Sequence, residues 1–249
     1  TGNTTANVTS SINAFLSIAL RPSGGLPLHH VRLNHPGTAV TCLPASVTVV
    51  ACATADAGSP ASCTPYTTGL TGNVVAKDVS NAVITTVPFV IGAGSSSVTV
   101  GVPVTTAQTA TLETSALSVV PATSWTCFNM GANNASCGLA YVDAGFIFSS
   151  AAGGVAATIP AQTAGNTSAT YYLRAVRTST TTKACEAALT ASGTVNLGYT
   201  CNNPGTCSAG SRLDITPYNL GGVAQPTVSV APGSTAVTLF FDANGNARH

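Results

Sequence analysis

The sequence predicts an all-β protein, and three observations carry that prediction. Short segments rich in Val, Thr and Tyr, partly alternating between apolar and polar residues, recur about every ten residues: ASVTVVACA, SSSVTVGVPV, TYYLRAVRT, TVNLGYTC and TAVTLFF. Each is bounded by Gly, Pro, Asn or Ser, and 24 Gly with 14 Pro in 249 residues make turns frequent. Eight cysteines, an even number in a chain with only 6% charged residues, fit a disulfide framework formed in an oxidising compartment. Together they predict two tandem immunoglobulin-like β-sandwiches stabilised by disulfides.

Residues 1–26 carry no strong pattern and are expected to be an edge strand or a linker. The stretch NTTANVTSSINAFLSIALR, and later AQTATLETSALS, each have room for a short helix, but their Thr and Ser content makes the helical signal weak. From there the chain repeats itself. LHHVRLNHPGTAVTC, ASVTVVAC and Cys63 parallel YYLRAVRTSTTTKAC, GTVNLGYTC and Cys207, so that Cys42, Cys52 and Cys63 correspond to Cys185, Cys201 and Cys207. VPFVIGAGSSSVTVGV likewise parallels QPTVSVAPGSTAVTLFF, in each case a strand, a Gly-Ser turn read as a hairpin, and a strand. The first sandwich is therefore placed at 27–150, a linker rich in Ala and Gly at 151–159, and the second sandwich at 160–249. The second copy is expected to be truncated, because the Asn-Gly of FFDANGNARH should start a tight turn with a return strand beyond it. The start likewise reads as mid-protein, with any leader upstream of Thr1, and His249 is either native or the first residue of a purification tag.

Charge excludes whole classes of partner. A net charge of +1 without clustered Lys or Arg leaves no footprint for nucleic acid or anionic lipid. The longest apolar runs, FLSIAL and VTVVACA, are far shorter than the roughly 18 residues a membrane span needs, so no membrane insertion is expected.

The cysteines carry the candidate chemistry. A structural zinc site uses closely spaced pairs such as Cys-x-x-Cys, and none occurs. Cys201 and Cys207, Cys127 and Cys137, and Cys52 and Cys63 instead enclose the turn formers NNPGT, FNMGANNAS and ATADAGSPAS, which reads as three local staples. Nor does any of them sit beside a cation or a helix N-terminus that would activate a thiolate. Cys42 and Cys185 remain. By elimination they pair with each other, although tandem sandwiches do not naturally bring equivalent points together. In the alternative, Cys42 joins Cys127 or Cys137 and Cys185 takes the other. In the chain-entropy picture a small loop is worth roughly 2 kcal/mol and a bridge enclosing over a hundred residues about 5 kcal/mol.

No other constellation completes a site. His29, His30 and His35 cluster near a strand without a nearby Cys, Asp or Glu, so no metal is expected. Asp242, Asn244 and Asn246 imitate half a calcium loop, but the distal Glu is missing and a hairpin turn explains them. The seven acids are scattered, Asp143 reads as a strand end, and neither a Gly-x-Ser-x-Gly elbow nor a phosphate loop is present, so no catalytic residue and no cofactor are expected. Arg174 and Arg177 are three apart on a strand and so face opposite sides, one toward an edge or a domain contact. Trp125, the only tryptophan, is the weak candidate for ligand binding. The competing reading is a buried anchor packed on the adjacent disulfide.

The segments HHVRLNHPGTAVTCLPASVTVVACA, CGLAYVDAGFIF, IPAQTAG, YYLRAVRT, ACEAAL, YTCNNPGTCSAG and FFDANGNA together resemble the extracellular region of MshQ-like proteins, associated with the bacterial mannose-sensitive haemagglutinin type IV pilus. The resemblance implies a non-enzymatic protein at the bacterial cell surface, linked with pilus biogenesis or adhesion, whose partners are other domains of the same protein, pilus subunits or a surface glycan. It supplies no site residues. The function expected is thus a structural stalk segment, with a glycan- or protein-binding adhesin module and a Thr-rich ice-binding surface as alternatives.

Overall fold

The computed structural model of the chain describes residues 4–7, 15–18, 26–58, 62–129, 131–151, 154, 156, 159, 162–201, 205–215, 227–233, 235–242 and 246–248. Among them every regular element is a β-strand. β1 (Thr4–Asn7) and β2 (Phe15–Ile18) pair as an antiparallel ribbon where a helix was one option. β-Branched Thr loses rotamer freedom in a helix and suits the extended chain.

β3 (His30–His35), β4 (Thr38–Val40), β5 (Ala45–Cys52), β6 (Leu70–Lys77), β7 (Val83–Ile91), β8 (Ser97–Val102), β9 (Gln108–Ser115), β10 (Thr126–Asn129), β11 (Ala132–Asn133) and β12 (Gly138–Val142) form two five-stranded sheets. Their orders are β11-β10-β3-β5-β8 and β4-β12-β9-β6-β7. Alternation builds the core between them: Val31 and Leu33, then Ala45, Val47, Val49 and Ala51, point inward from the first sheet. Leu70, Val74, Ala76, Leu139 and Tyr141 meet them from the second. β9 covers the other segment where a helix was an option; Ala110, Leu112 and Thr114 are buried at alternate positions, the period of a strand. Pro88 lies in β7 at the edge of its sheet, where its missing N–H breaks no ladder bond.

β10 and β12 close this sandwich on both sides. β10 runs parallel to β3, while β12 lies between β4, to which it is parallel, and β9. The next strand crosses over. β13 (Ala144–Ser149), counted with the first repeat on the sequence, pairs instead with β14 (Tyr172–Thr178), which also holds β15 (Cys185–Ala187). β16 (Ser192–Leu197), β17 (Leu213–Ile215), β18 (Val228–Val230), β19 (Thr235–Phe241) and β20 (Ala247–Arg248) complete the second half as sheets β16-β19-β20 and β17-β18. Its core gathers Ala175, Val195, Val237 and Leu239 around Phe241.

The two halves share part of one plan. β5 pairs antiparallel with β8, and β16 with β19, each strand ending near the first cysteine of a local disulfide. Opposed threonines bond across both pairs, Thr48 with Thr99 and Thr194 with Thr238. The Gly-Ser turns differ from the expected hairpins in the same way in both copies. β7 pairs with β6 and β8 with β5; β18 pairs with β17 and β19 with β16, so each turn carries the chain from one sheet to another. The likeness ends at β14, which joins β13 and β15 rather than β16.

The halves meet at a compact junction. Val40, Ile147 and Val176 pack together with Cys42, Leu43 and Cys185 against them. Thr41 donates its N–H to Val142 O (2.9 Å) and its hydroxyl to Asp143 Oδ1 (2.9 Å), and Thr178 N–H reaches Asp143 O (2.7 Å). Cys42 and Cys185 are disulfide-bonded across this contact. Equivalent positions of the repeat do meet here, because β13 turns β14 and β15 back onto the end of β4.

Candidate functional site

Trp125 stands on a segment that the rest of the fold holds still. Ala122 N–H donates to Leu28 O (3.1 Å) and Thr123 N–H to His29 O (2.8 Å), fixing the approach to β10. One residue beyond Trp125, the Thr126 hydroxyl donates to Asp56 Oδ2 (3.1 Å). Two residues beyond, Cys127 is bridged to Cys137. β10 begins only at Thr126, so the alternation that buries Cys127 does not extend to Trp125, which is 38% exposed. The buried-anchor reading is thereby corrected. The indole forms the ridge between two open depressions, one walled by Leu117, Val120, Pro121 and Thr123, the other by Asn133, Asn134, Ala135 and the Cys127–Cys137 bridge.

Beneath this ridge lies a polar cluster that sequence reasoning missed. Asp56 accepts from three groups: His30 Nε2 (3.0 Å), Arg32 Nη1 (2.9 Å) and Thr126. His30 is buried, its Nδ1 is 3.0 Å from His29 Nδ1, and the Arg32 guanidinium lies 5.3 Å from the centre of the Phe128 ring. Asp56 belongs to the loop closed by Cys52 and Cys63, so the cluster ties that loop to β3 and β10. The only signal was a lone acid inside a turn-rich disulfide loop, and its partners lie 24 to 70 residues away.

His30, Cys52 and Asp56 present ligand atoms within 4.8 Å of one another. The donor set does not suit a cation. Cys52 sulfur is bonded to Cys63 and offers no thiolate, while Arg32 already places a positive charge on Asp56. His35 lies at the far end of β3, buried, with Nδ1 accepting from Gly37 N–H (3.2 Å); burial holds its pKa below the ordinary imidazole value.

The remaining candidates serve structure. Cys52–Cys63, Cys127–Cys137 and Cys201–Cys207 are bonded within their loops. The Asp242 carboxylate accepts from the Asn246 backbone N–H (2.9 Å) and side-chain amide (3.1 Å), closing the turn between β19 and β20; Asn244 lies outside the described residues. Arg174 is buried and donates to Gly154 O (2.6 Å), whereas Arg177 is exposed and pairs with Glu186 (2.8 Å). Each of the seven carboxylates has a partner: Glu113 has Lys77, Asp214 has Arg212 and Ser229, Asp78 has its own turn, Asp143 has Thr41, and Asp56, Glu186 and Asp242 are bonded as above.

Fold and stapling define a class of protein: an all-β chain of Ig-like architecture held by four disulfides. The family described as a domain of unknown function (DUF6701), first Ig-like domain, matches residues 124–249, and the chain belongs to it. A second domain of unknown function (DUF8613) matches residues 28–121. Neither a curated protein nor a solved structure matches. The division between the two matches falls just before β10, so the opening residues of the DUF6701 match supply β10, β11 and β12 to the sandwich that the preceding segment begins.

Proposed function

We propose that the chain is a non-enzymatic stalk segment of a bacterial cell-surface or pilus-associated adhesin. The junction carries this reading. A packed contact, a set of hydrogen bonds and a disulfide hold the halves together, where a flexible linker would let them swing. Four disulfides favour an extracellular setting, and no helix among the described residues is long and apolar enough to cross a membrane. That each carboxylate is bonded to a partner within the fold supports the non-enzymatic part of the reading. The resemblance to MshQ-like proteins supplies the pilus association. The test replaces residues 27–249 in the parent surface protein with two unrelated disulfide-stapled sandwiches of equal length. A stalk tolerates the exchange with surface adhesion intact; loss of adhesion with normal display overturns the reading.

A second reading, a glycan-binding module, is favoured by one observation: an exposed indole on a segment pinned from both sides. Trp125 is the only tryptophan, so intrinsic fluorescence reports on this ridge alone. Under this reading neutral oligosaccharides shift that emission saturably, and Trp125→Ala abolishes retention on a glycan array while leaving the thermal melt unchanged. A flat titration across the panel sinks it.

A further inference from the structure

If the chain is a stalk, as proposed above, pulling forces pass along it, and its covalent connectivity decides which residues feel them. From the N-terminal side, tension runs along β3 and β4 and arrives at Cys42. There the backbone continues into β5 and the rest of the first sandwich, but Cys42 is also bonded to Cys185, which opens β15 and leads on to β16. The shortest covalent route omits everything between the two cysteines. The fold is arranged around that shortcut. The chain leaves the junction at Cys42 and returns at Asp143, beside its point of departure, since Thr41 bonds to Val142 O and to the Asp143 side chain. It leaves again along β13 and returns through β14, whose Thr178 N–H reaches Asp143 O. Both excursions thus start and finish at one neck, which the disulfide closes covalently where hydrogen bonds alone would give way one after another under load.

We propose that the Cys42–Cys185 bridge carries tension through the molecule and takes residues 43–184 out of the load path. The greater part of the first sandwich, with the Trp125 ridge and two of the local disulfides, then hangs beside the line of force, which reaches it only through β3 and β4. The short loop between Cys201 and Cys207 lies on the load line and withholds only its own residues.

Single-molecule pulling of the whole chain through its two ends tests this. The cysteines of the bridge are 143 residues apart, so without reductant the fully stretched protein should fall short of its free contour length by roughly 500 Å. Adding reductant to the same molecule should return that length. The C42S/C185S variant should return roughly 400–450 Å, because the two smaller loops inside the segment, 11 and 10 residues in separation, stay closed. The measurement reads length and does not require the variant to fold. The proposal is overturned if the oxidised protein already reaches its free length, or if reduction adds only the few residues of the Cys201–Cys207 loop. Tolerance of the sandwich exchange together with an unlocked length would sink the load path alone; a locked length together with a failed exchange would sink the stalk alone.

Discussion

His30 and His35 lie at the two ends of one strand, and their surroundings separate their roles. His30 has a carboxylate in contact, whereas His35 has a backbone N–H on Nδ1 and the side-chain nitrogen of Asn134 3.3 Å from Nε2. Burial lowers the His35 pKa from 6.5, so below that pH the unfolded chain binds a proton that the folded protein refuses. The stabilisation is complete above pH 6.5 and declines as the pH falls through it, levelling off below the folded-state value. Urea midpoints for the parent and His35→Gln, taken between about pH 7.5 and 5, should converge or cross, because the variant lacks that slope. Parallel curves would show that His35 does not titrate differently in the two states. At this scale the sequence exposes residue type and near neighbours and little more. The three local cysteine pairs were legible because the partners and the turn between them sit in one short window. The bonds from Asp56 to His30, Arg32 and Thr126 were not, since they exist only once β3, β10 and the disulfide loop have been brought together. Nor was the exposure of Trp125, which depends on β10 starting one residue later.

Among the elements, the turns were harder to read than the strands. Alternating Val and Thr announce β5 or β19 directly, but Gly and Ser say only that the chain bends, not whether it returns to the same sheet. The two Gly-Ser corners illustrate the difference: each links strands in opposite sheets. Gly37 makes another such crossing, from β3 in one sheet to β4 in the other. Its φ of 78° lies in the left-handed region, its carbonyl accepts from Ala140 N–H (3.0 Å), and an added Cβ would run into the Asn129 side chain. Gly37→Ala should therefore lower stability by about 1–2 kcal/mol from backbone conformation alone, and by more as Asn129 is displaced. A shift of the urea midpoint with an unchanged m-value checks it, and an unmoved midpoint would mean that the turn relaxes at no cost.

For the whole molecule, the unit that the sequence predicts at 27–150 takes in β3 to β12, and with them β13, which pairs with β14 of the second half. Repeats were recognised by what the two copies share, β5 with β8 and β16 with β19, whereas the first unit is completed by strands outside that shared pattern. Residues 126–142 lie beyond the DUF8613 match yet bury Leu139 and Tyr141 in the first core, and the Tyr141 hydroxyl donates to Val102 O (2.8 Å). Each of those side chains is worth roughly 1.5–3 kcal/mol on burial. Together they come to roughly 3–6 kcal/mol, against the 5–15 kcal/mol or so that holds a typical domain together. Chain 27–121 should consequently lack a cooperative thermal transition, while 27–142 should show one, both carrying Cys42→Ser to remove the thiol left without Cys185. Calorimetry of the two pieces decides it. A cooperative melt in the shorter piece would make the DUF8613 segment a domain in its own right and reduce β10 and β12 to an addition along its edges. Its absence would mean that the two matched segments are joined through a shared sandwich, so that neither can be exchanged at residue 122 without unfolding its neighbour.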